Sequence, residues 1–394
     1  MKVLSVSSGR ADLGILAPVW RALAARGGVE LYVLLTGAHV TDDSAARAAL
    51  PPGVAGHTAG ADMAGGSGGG AAAAMAAIVD AAACLAAELE PARALITGDR
   101  LDMLPAALGL VPLNIPLVHL HGGELTYGAL DERVRHAMSK LAHLHCTATA
   151  KAAARLVRMG EEPWRIRVTG APGLDTLMDA PVMDASVFSR KFGFVSVAGL
   201  RLVTVHPETN TARPLAVLDA TLAALAAVPG PILFTAPNAD PGGAEALSRI
   251  EAFVASHDEA SFRATLGPDL YPNALRHASV MVGNSSSGLI EAGLFGLPAI
   301  NIGARQEGRL RGGNVIDCDA AAGEVEKLLR NPPPRFAPGS PYGDGASAPR
   351  IADWVIANHD RDRLLYKRFA AEDIQFTAPW EAPEICEERR SNDG

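Results

Sequence analysis

Aromatic side chains are scarce, at 5% of 394 residues. The core must therefore be filled by smaller groups in close contact, which the abundant alanine and glycine allow. Cysteine is nearly absent: Cys84, Cys146, Cys318 and Cys386 are scattered with no paired spacing. That excludes a disulfide scaffold and fits a reducing compartment. Excess positive charge is lacking too, since the formal net charge is −8. No broad basic face is offered to nucleic acid or to an anionic membrane, although a local basic pocket stays open. No apolar run of about 18 residues is free of charges and turn residues, so no membrane span is expected. The N-terminus, MKVLSVSSGRADLG, is too polar after its first apolar run for a signal peptide. A cytoplasmic protein is expected. Two phosphate-binding patterns, G-x-G-x-x-G and G-x-x-x-x-G-K-[ST], are missing, which weakens the NAD and P-loop readings. No His, Cys, Asp or Glu spacing fits a metal site, so neither metal nor cofactor is expected.

What is present is a repeated strand–helix rhythm. The length suits two domains, and 48% apolar residues can fill a core in each. KVLSVS runs into the loop SGRAD. Leu13, Leu16, Trp20 and Leu23 then recur at helical spacing, before the second apolar run VELYVLLTG. Residues 51–70 are rich in proline and glycine and read as a loop; the alanine-rich stretch 71–89 reads as a helix. ARALITGDR, PLVHLHGGE, HLHCTA and RIRVTG read as further strands. The pattern restarts at LVTVHPET and continues through GPILFTAPN, SVMVGNSSS and LPAINIG. Alternation of this kind gives α/β domains with parallel sheets. The expectation is two Rossmann-like lobes with a cleft between them, 1–170 and 171–358, joined near APGLD. A helix returning to the first lobe is expected near 359–372, with a tail at 373–394.

Ligands of open parallel sheets bind beyond the carboxyl ends of the strands. In this chain those positions carry Arg10, Asp99, Arg100, His121 and Glu124 in the first half, with Asp131 just beyond. The second half offers His206, then Asn284, Ser285, Ser286 and Ser287, then Arg305 and Arg309. GNSSSGLIEAGLFG is the clearest motif: a strand runs through serine and glycine into a helix, whose first N–H groups can hold a phosphate. Ser286 reads equally as an ordinary helix cap. Glu291 follows within two turns, where a carboxylate can accept from ribose hydroxyls. The three arginines Arg10, Arg305 and Arg309 can supply charge for a diphosphate. Asp99, Glu124, Asp131 and His121 form a cluster suited to proton transfer. Asp102 reads as a helix cap and His119 as a core histidine.

Together these segments resemble the hydrolysing UDP-N-acetylglucosamine 2-epimerases of sialic-acid and related nonulosonate synthesis. The carriers are SGRADLG, TGDRLD, HLHGGE, LDERVRHAMSKLAHLH, VTVHPET, GNSSSGLIEAGLFGLPAINIGARQEGR and YGDGASAPRI, in order along nearly the whole chain. The resemblance implies a GT-B-like architecture with UDP held mainly by the second lobe. It implies that a base removes the C-2 proton, UDP leaves C-1, and water adds to the resulting glycal, giving the free C-2-inverted manno sugar. It assigns Asp99 and Asp131 to catalysis, His206 to the cleft, and Ser285, Ser286, Glu291, Arg10 and Arg100 to UDP.

One departure bears on the substrate. The UDP-N-acetylglucosamine branch carries HIEGGE with a catalytic first glutamate, and His121 stands there in this chain. One residue is also added before Asp131, within LTYGAL. The sequence thus resembles the branch acting on UDP-2,4-diacetamido-2,4,6-trideoxyglucose, which leads to legionaminic acid, and both substrates stay open. Rival readings are a GT-B glycosyltransferase, a non-hydrolysing epimerase and a UDP-sugar-binding protein without turnover. A homo-oligomer, dimer or tetramer, is expected, and helix 71–89 is either an interface or core.

Overall fold

The computed structural model describes residues 1–63, 68–126, 130–208, 211, 213–237, 242–357 and 359–370. The expected tail at 373–394 lies outside them. The first sheet contains β1 (Lys2–Ser7), β2 (Glu30–Leu35), β3 (Ala55–Thr58), β4 (Arg93–Thr97), β5 (Leu117–Leu120), β6 (Leu144–Thr147) and β7 (Ile166–Val168). Their spatial order is β3-β2-β1-β4-β5-β6-β7, and every pair is parallel. The second sheet contains β8 (Arg201–Thr204), β9 (Ile232–Thr235), β10 (Ala260–Arg263), β11 (Val280–Gly283), β12 (Ala299–Ile302) and β13 (Val315–Cys318). Its order is β10-β9-β8-β11-β12-β13, again all parallel.

The central strands are continuous apolar runs because both faces are covered by helices. In β1, Val3 joins one core cluster and Leu4 the cluster on the other face; Leu95 and Ile96 divide in the same way. In the second sheet Leu202 and Val203, and Met281 and Val282, split between two further clusters. Three strands escaped the sequence reading: β3, β10 and β13. Each is an edge strand of four residues, half exposed, so no apolar run marks it. β3 falls inside the stretch 51–70 expected to be loop.

The helix expected at 71–89 spans Gly68–Leu89. Its 21 residues from Gly69 are long and apolar enough, by length and composition, to cross a membrane, contrary to the expectation that no apolar run reaches that length. In the fold it is the crossover between the parallel strands β3 and β4. Ile78, Ala82, Leu85, Ala86 and Leu89 lie in the core of the first lobe.

Two chain segments join the lobes side by side. Ala171 N donates to Tyr342 O at 2.6 Å. Asp175 accepts from the backbone N–H groups of Ser347 and Ala348 at 2.9 and 2.6 Å, fixing the start of the helix Ser347–Ile356. That helix returns to the first lobe: Ala348, Ile351, Ala352 and Val355 form a stripe at helical spacing against Leu16, Val19, Trp20 and Leu23. The return thus begins upstream of 359–372; the short helix Arg361–Leu365 follows and buries Leu364 in the same core.

Each sheet has one place where neighbouring strands lead the chain in opposite directions, between β1 and β4 and between β8 and β11. Crevices open there at the carboxyl ends. The loops at these two points carry Gly9-Arg10 and Gly98-Asp99 in one lobe, and His206 and Asn284-Ser285 in the other.

Candidate active site between the lobes

β4 ends in a turn at Gly98 (φ 70°) that delivers Asp99. The carbonyl of Gly98 is bonded to Nε2 of His119 at 2.9 Å, and His119 Nδ1 meets Ser139 Oγ at 3.1 Å. His119 is thus a satisfied core histidine, held neutral by burial with a pKa of about 3. β5 ends differently. His121 adopts φ 63°, a left-handed conformation costing roughly 1–2 kcal/mol for a residue with a Cβ. Gly123 follows at φ 77°, where a Cβ would lie 2.5 Å from the carbonyl oxygen of Ala152. This sharp exit turns His121 and Glu124 into the cleft, and strain of this kind gathers at functional sites.

The helix Leu130–Leu141 supplies a residue that the sequence reading missed. Arg135 is 2% exposed. It donates to Glu124 O at 3.0 Å, Glu132 Oε2 at 2.8 Å and Thr126 Oγ1 at 2.8 Å, and closely to Asp99 Oδ2. A signal existed: Arg135 lies four residues after Asp131 and beside the apolar positions Val134 and Met138, so it shares their inward face.

Burial sets the protonation of this cluster. It pushes the Glu124 carboxyl up, against the guanidinium charges of Arg135, Arg309 and Arg155. Burial and then the nearby Asp99 raise Asp131. Burial lowers His121 to about 4, so its ring is neutral near pH 7. Among the described residues, His121 Nε2 and Glu124 Oε1 are buried without a protein partner. Such atoms cost about 1–3 kcal/mol each when left unpaired, and both residues line the cavity between the lobes.

In the second lobe, Asn284 is spent on its neighbour. Its Oδ1 accepts from His206 N at 2.7 Å and its Nδ2 donates to His206 O at 2.9 Å. Arg305 and Gln306 both donate to the Asn284 carbonyl, at 3.3 and 2.8 Å. Glu208, assigned no role from sequence, accepts from the backbone of Ala304 and Arg305 at 3.1 and 3.0 Å and so fixes the loop after β12. The helix expected after GNSSS is a single turn, Ser287–Ile290, continued as a 3-10 turn at Ala292–Phe295. Ser286 stands at its start but makes no side-chain capping bond. Ser285 Oγ accepts weakly from Ser287 N at 3.4 Å.

One cavity of about 280 Å³ joins the lobes. Asp99, His121, Glu124 and Arg135 enter it from the first lobe, and Glu291 and Arg309 from the second. Ile15, Leu125, Leu174 and Ile290 give it an apolar wall. The structure does not bring every expected residue into this cavity. Asp131 and Arg100 line a second cavity of about 400 Å³ with Asp102. Arg100 pairs with Asp102 at 2.9 Å, and Asp102 also accepts from Ser8 Oγ at 2.9 Å instead of capping its helix. Arg10 is exposed and pairs with Asp42 at 2.6 Å. Among the described residues no three His, Cys, Asp or Glu side chains are arranged to hold a metal ion.

Comparison with known proteins identifies the family and the fold. The family model described as UDP-N-acetylglucosamine 2-epimerase matches residues 21–356. A Legionella pneumophila protein named UDP-N,N'-diacetylbacillosamine 2-epimerase (hydrolyzing) is 32% identical over 89% of this chain and 94% of its own. A Neisseria meningitidis protein named UDP-N-acetylglucosamine 2-epimerase is 29% identical over 81% of this chain and 84% of its own. Among solved structures, a UDP-GlcNAc 2-epimerase from Neisseria meningitidis, bound to UDP-GlcNAc, superposes with a TM-score of 0.73 at 17% identity, over 91% of this chain and all of that one. The Methanocaldococcus jannaschii enzyme gives 0.71 at 17%, over 90% and 99%. The fold is therefore GT-B-like, two Rossmann-like lobes facing a cleft, and the chain belongs to the UDP-N-acetylglucosamine 2-epimerase family.

Proposed function

We propose that this chain hydrolyses a UDP-linked N-acetylated amino sugar with inversion at C-2. The observation that carries the reading is the shared cavity: proton-transfer groups of one lobe face Glu291 and Arg309 of the other. A C-2 proton is too weakly acidic to be removed alone, so its loss is coupled to departure of UDP from C-1. Both halves of that step need one site. Asp99, oriented by its ion pair with Arg135, takes the C-2 proton. UDP leaves with the C–O bonding pair, and the glycal remains. Glu124, whose burial keeps its carboxyl protonated to higher pH, then delivers a proton to C-2 from the opposite face. Water attacks C-1 and gives a proton to the Glu124 carboxylate, while the C-2 proton on Asp99 passes to solvent, so one water is consumed and one proton is released with UDP. Asp131 supports the acid cluster electrostatically, and Asn284 holds His206 at the cleft edge. Ser285, Ser286, Arg305 and Arg309 serve the diphosphate, while Ser287 is engaged with Glu291; Arg10 and Arg100, expected to hold UDP, stand outside the shared cavity, paired with Asp42 and Asp102.

For the sugar we infer 2,4-diacetamido-2,4,6-trideoxyglucose, which is N,N'-diacetylbacillosamine. Its C-6 methyl and second acetamido methyl suit the wall of Ile15, Leu125, Leu174 and Ile290, and the neutral His121 stands where the N-acetylglucosamine branch carries a glutamate. The test is incubation with either UDP-sugar in deuterated water, followed by proton NMR. Free UDP and a C-2-inverted, C-2-deuterated sugar are expected, faster from the diacetamido substrate. Intact UDP-sugars without exchange at C-2 would refute the reading, and faster turnover of UDP-N-acetylglucosamine would overturn the choice of sugar. Nucleotide sugars are made in the cytoplasm, where the enzyme is expected to work.

A homo-oligomer also fits. The helices Gly68–Leu89 and Met103–Leu110 pack together and leave Ala72, Ala73, Ala76, Leu108, Val111 and Leu113 exposed on one side of the first lobe. Apolar surface of this kind marks an association face. Light scattering is expected to give a dimer or tetramer, and a monomer for Leu108→Lys combined with Val111→Lys.

A further inference from the structure

The carboxylate of Glu291 is gripped from one side. Its Oε2 accepts the phenol of Tyr271 at 2.9 Å and also the hydroxyl of Ser287, and those two hydroxyls lie against each other. Among the described residues nothing in the protein donates to Oε1. Glu291 lines the cavity between the lobes, so one carboxylate oxygen is anchored and its twin is left for a ligand.

Tyr271 is itself held in place by its packing. It stands on the helix Gly267–His277 and packs against the apolar core of the second lobe. Two residues on, the fully buried Asn273 ties that helix to the preceding chain: it accepts from Met183 N at 2.8 Å and donates to Pro181 O at 2.9 Å. Burial, and then the Glu291 charge, push the Tyr271 phenol well above its usual pKa, so it remains a donor. A free glutamate has three rotatable side-chain torsions to order when it binds. Anchoring one oxygen to a rigid phenol removes much of that ordering in advance.

We propose that Tyr271 is the positioning residue of the nucleotide site: it locks Glu291 so that the second carboxylate oxygen receives the ribose hydroxyls of the nucleoside diphosphate. This rests on the UDP reading of Glu291. Tyr271 touches no reacting atom, so its loss is read in binding and not in chemistry.

The experiment measures calorimetric binding of UDP and of 2′,3′-dideoxy-UDP to wild type, Tyr271→Phe, Glu291→Gln and the double variant, with steady-state kinetics beside it. Tyr271→Phe is expected to weaken UDP about tenfold, the size of one hydrogen bond to a charged group. KM is expected to rise in step, with kcat changed less than about twofold. Removing the ribose hydroxyls is expected to weaken wild type strongly and Tyr271→Phe little, and in Glu291→Gln the tyrosine change is expected to add nothing. Unaltered UDP affinity in Tyr271→Phe, or an equal ribose penalty in both proteins, overturns the assignment while leaving the epimerase reading standing. A wild-type enzyme that binds no UDP overturns both. If Tyr271→Phe folds poorly, Ser287→Ala with the same ligand pair tests the shared anchor on Oε2: an unchanged ribose penalty there counts against it.

Discussion

Replacing Arg135 by methionine removes a guanidinium that serves four acceptors at once: Asp99, Glu132, Thr126 and the carbonyl of Glu124. Breaking a buried ion pair by deleting one partner costs about 3–5 kcal/mol, because the other charge is left unpaired. Here the carboxylates are reached by water, with side chains 30% exposed for Asp99 and 20% for Glu132. The expected loss is therefore about 2–4 kcal/mol, with part of the burial penalty relieved by solvent. Turnover is expected to suffer more than folding. Asp99 would lose its anchor, and a misplacement of about 1 Å at a reacting group can cost about a hundredfold. Lysine would keep the charge but not the fork, and a point charge cannot hold Asp99 and Glu132 in fixed geometry. Urea unfolding measures the first effect and the rate of deuterium entry at C-2 measures the second. An Arg135→Met protein as stable as wild type within about 0.5 kcal/mol would show that the network contributes nothing net. Exchange at C-2 retained in Arg135→Lys would show that Asp99 needs charge but not orientation.

Glu124→Gln is expected to release UDP and accumulate the glycal without inverted sugar, while Asp99→Asn stops both steps; equal loss of both steps in Glu124→Gln would refute the division of roles. His121→Glu is expected to raise kcat/KM for UDP-N-acetylglucosamine relative to the diacetamido substrate, and an unchanged ratio removes His121 from sugar selection. Arg309 lowers the Glu124 pKa across the cleft, and a bound diphosphate would neutralise it. The alkaline limb of kcat is therefore expected at higher pH than that of kcat/KM, with the gap closed in Arg309→Leu. Glu161 is fully buried, yet hydrogen bonds from His145, Lys140 and Lys367 outweigh the burial and bring it from 4.5 down to about 2. A depressed carboxyl stabilises above its unfolded pKa and loses that contribution as pH falls. Thermal stability is expected to drop between about pH 5 and pH 2, and less steeply in Glu161→Gln.

The fold was legible wherever the chain is covered on both faces. β1, β4, β5, β8 and β11 announce themselves as apolar runs because neither face meets water. β3, β10 and β13 did not, since an edge strand of four residues with one wet side carries too little pattern. The returning helix begins before the charged stretch beyond residue 359, and its signal is the helical spacing of Ala348, Ile351, Ala352 and Val355.

The site was legible in part, for a different reason. Listing the residues after each strand finds groups that stand at sheet edges, and so it found Asp99, His121, Glu124 and Arg309 in one cavity. The method is blind to residues that work from within a helix. Arg135 and Tyr271 both sit mid-helix, one on Leu130–Leu141 and the other on Gly267–His277, and each holds a carboxylate carried by another element. Sequence spacing cannot say which buried arginine or tyrosine faces a cleft, because the partner comes from 20 residues or more away: Asp99 is 36 residues from Arg135 and Glu291 is 20 from Tyr271. The same limit worked in reverse for Asn284. Its place after β11 suggested a ligand contact, yet both ends of its amide close on the His206 backbone. A strand-end loop can therefore be spent on building the crevice, while a helix behind it holds the carboxylates that face the cavity.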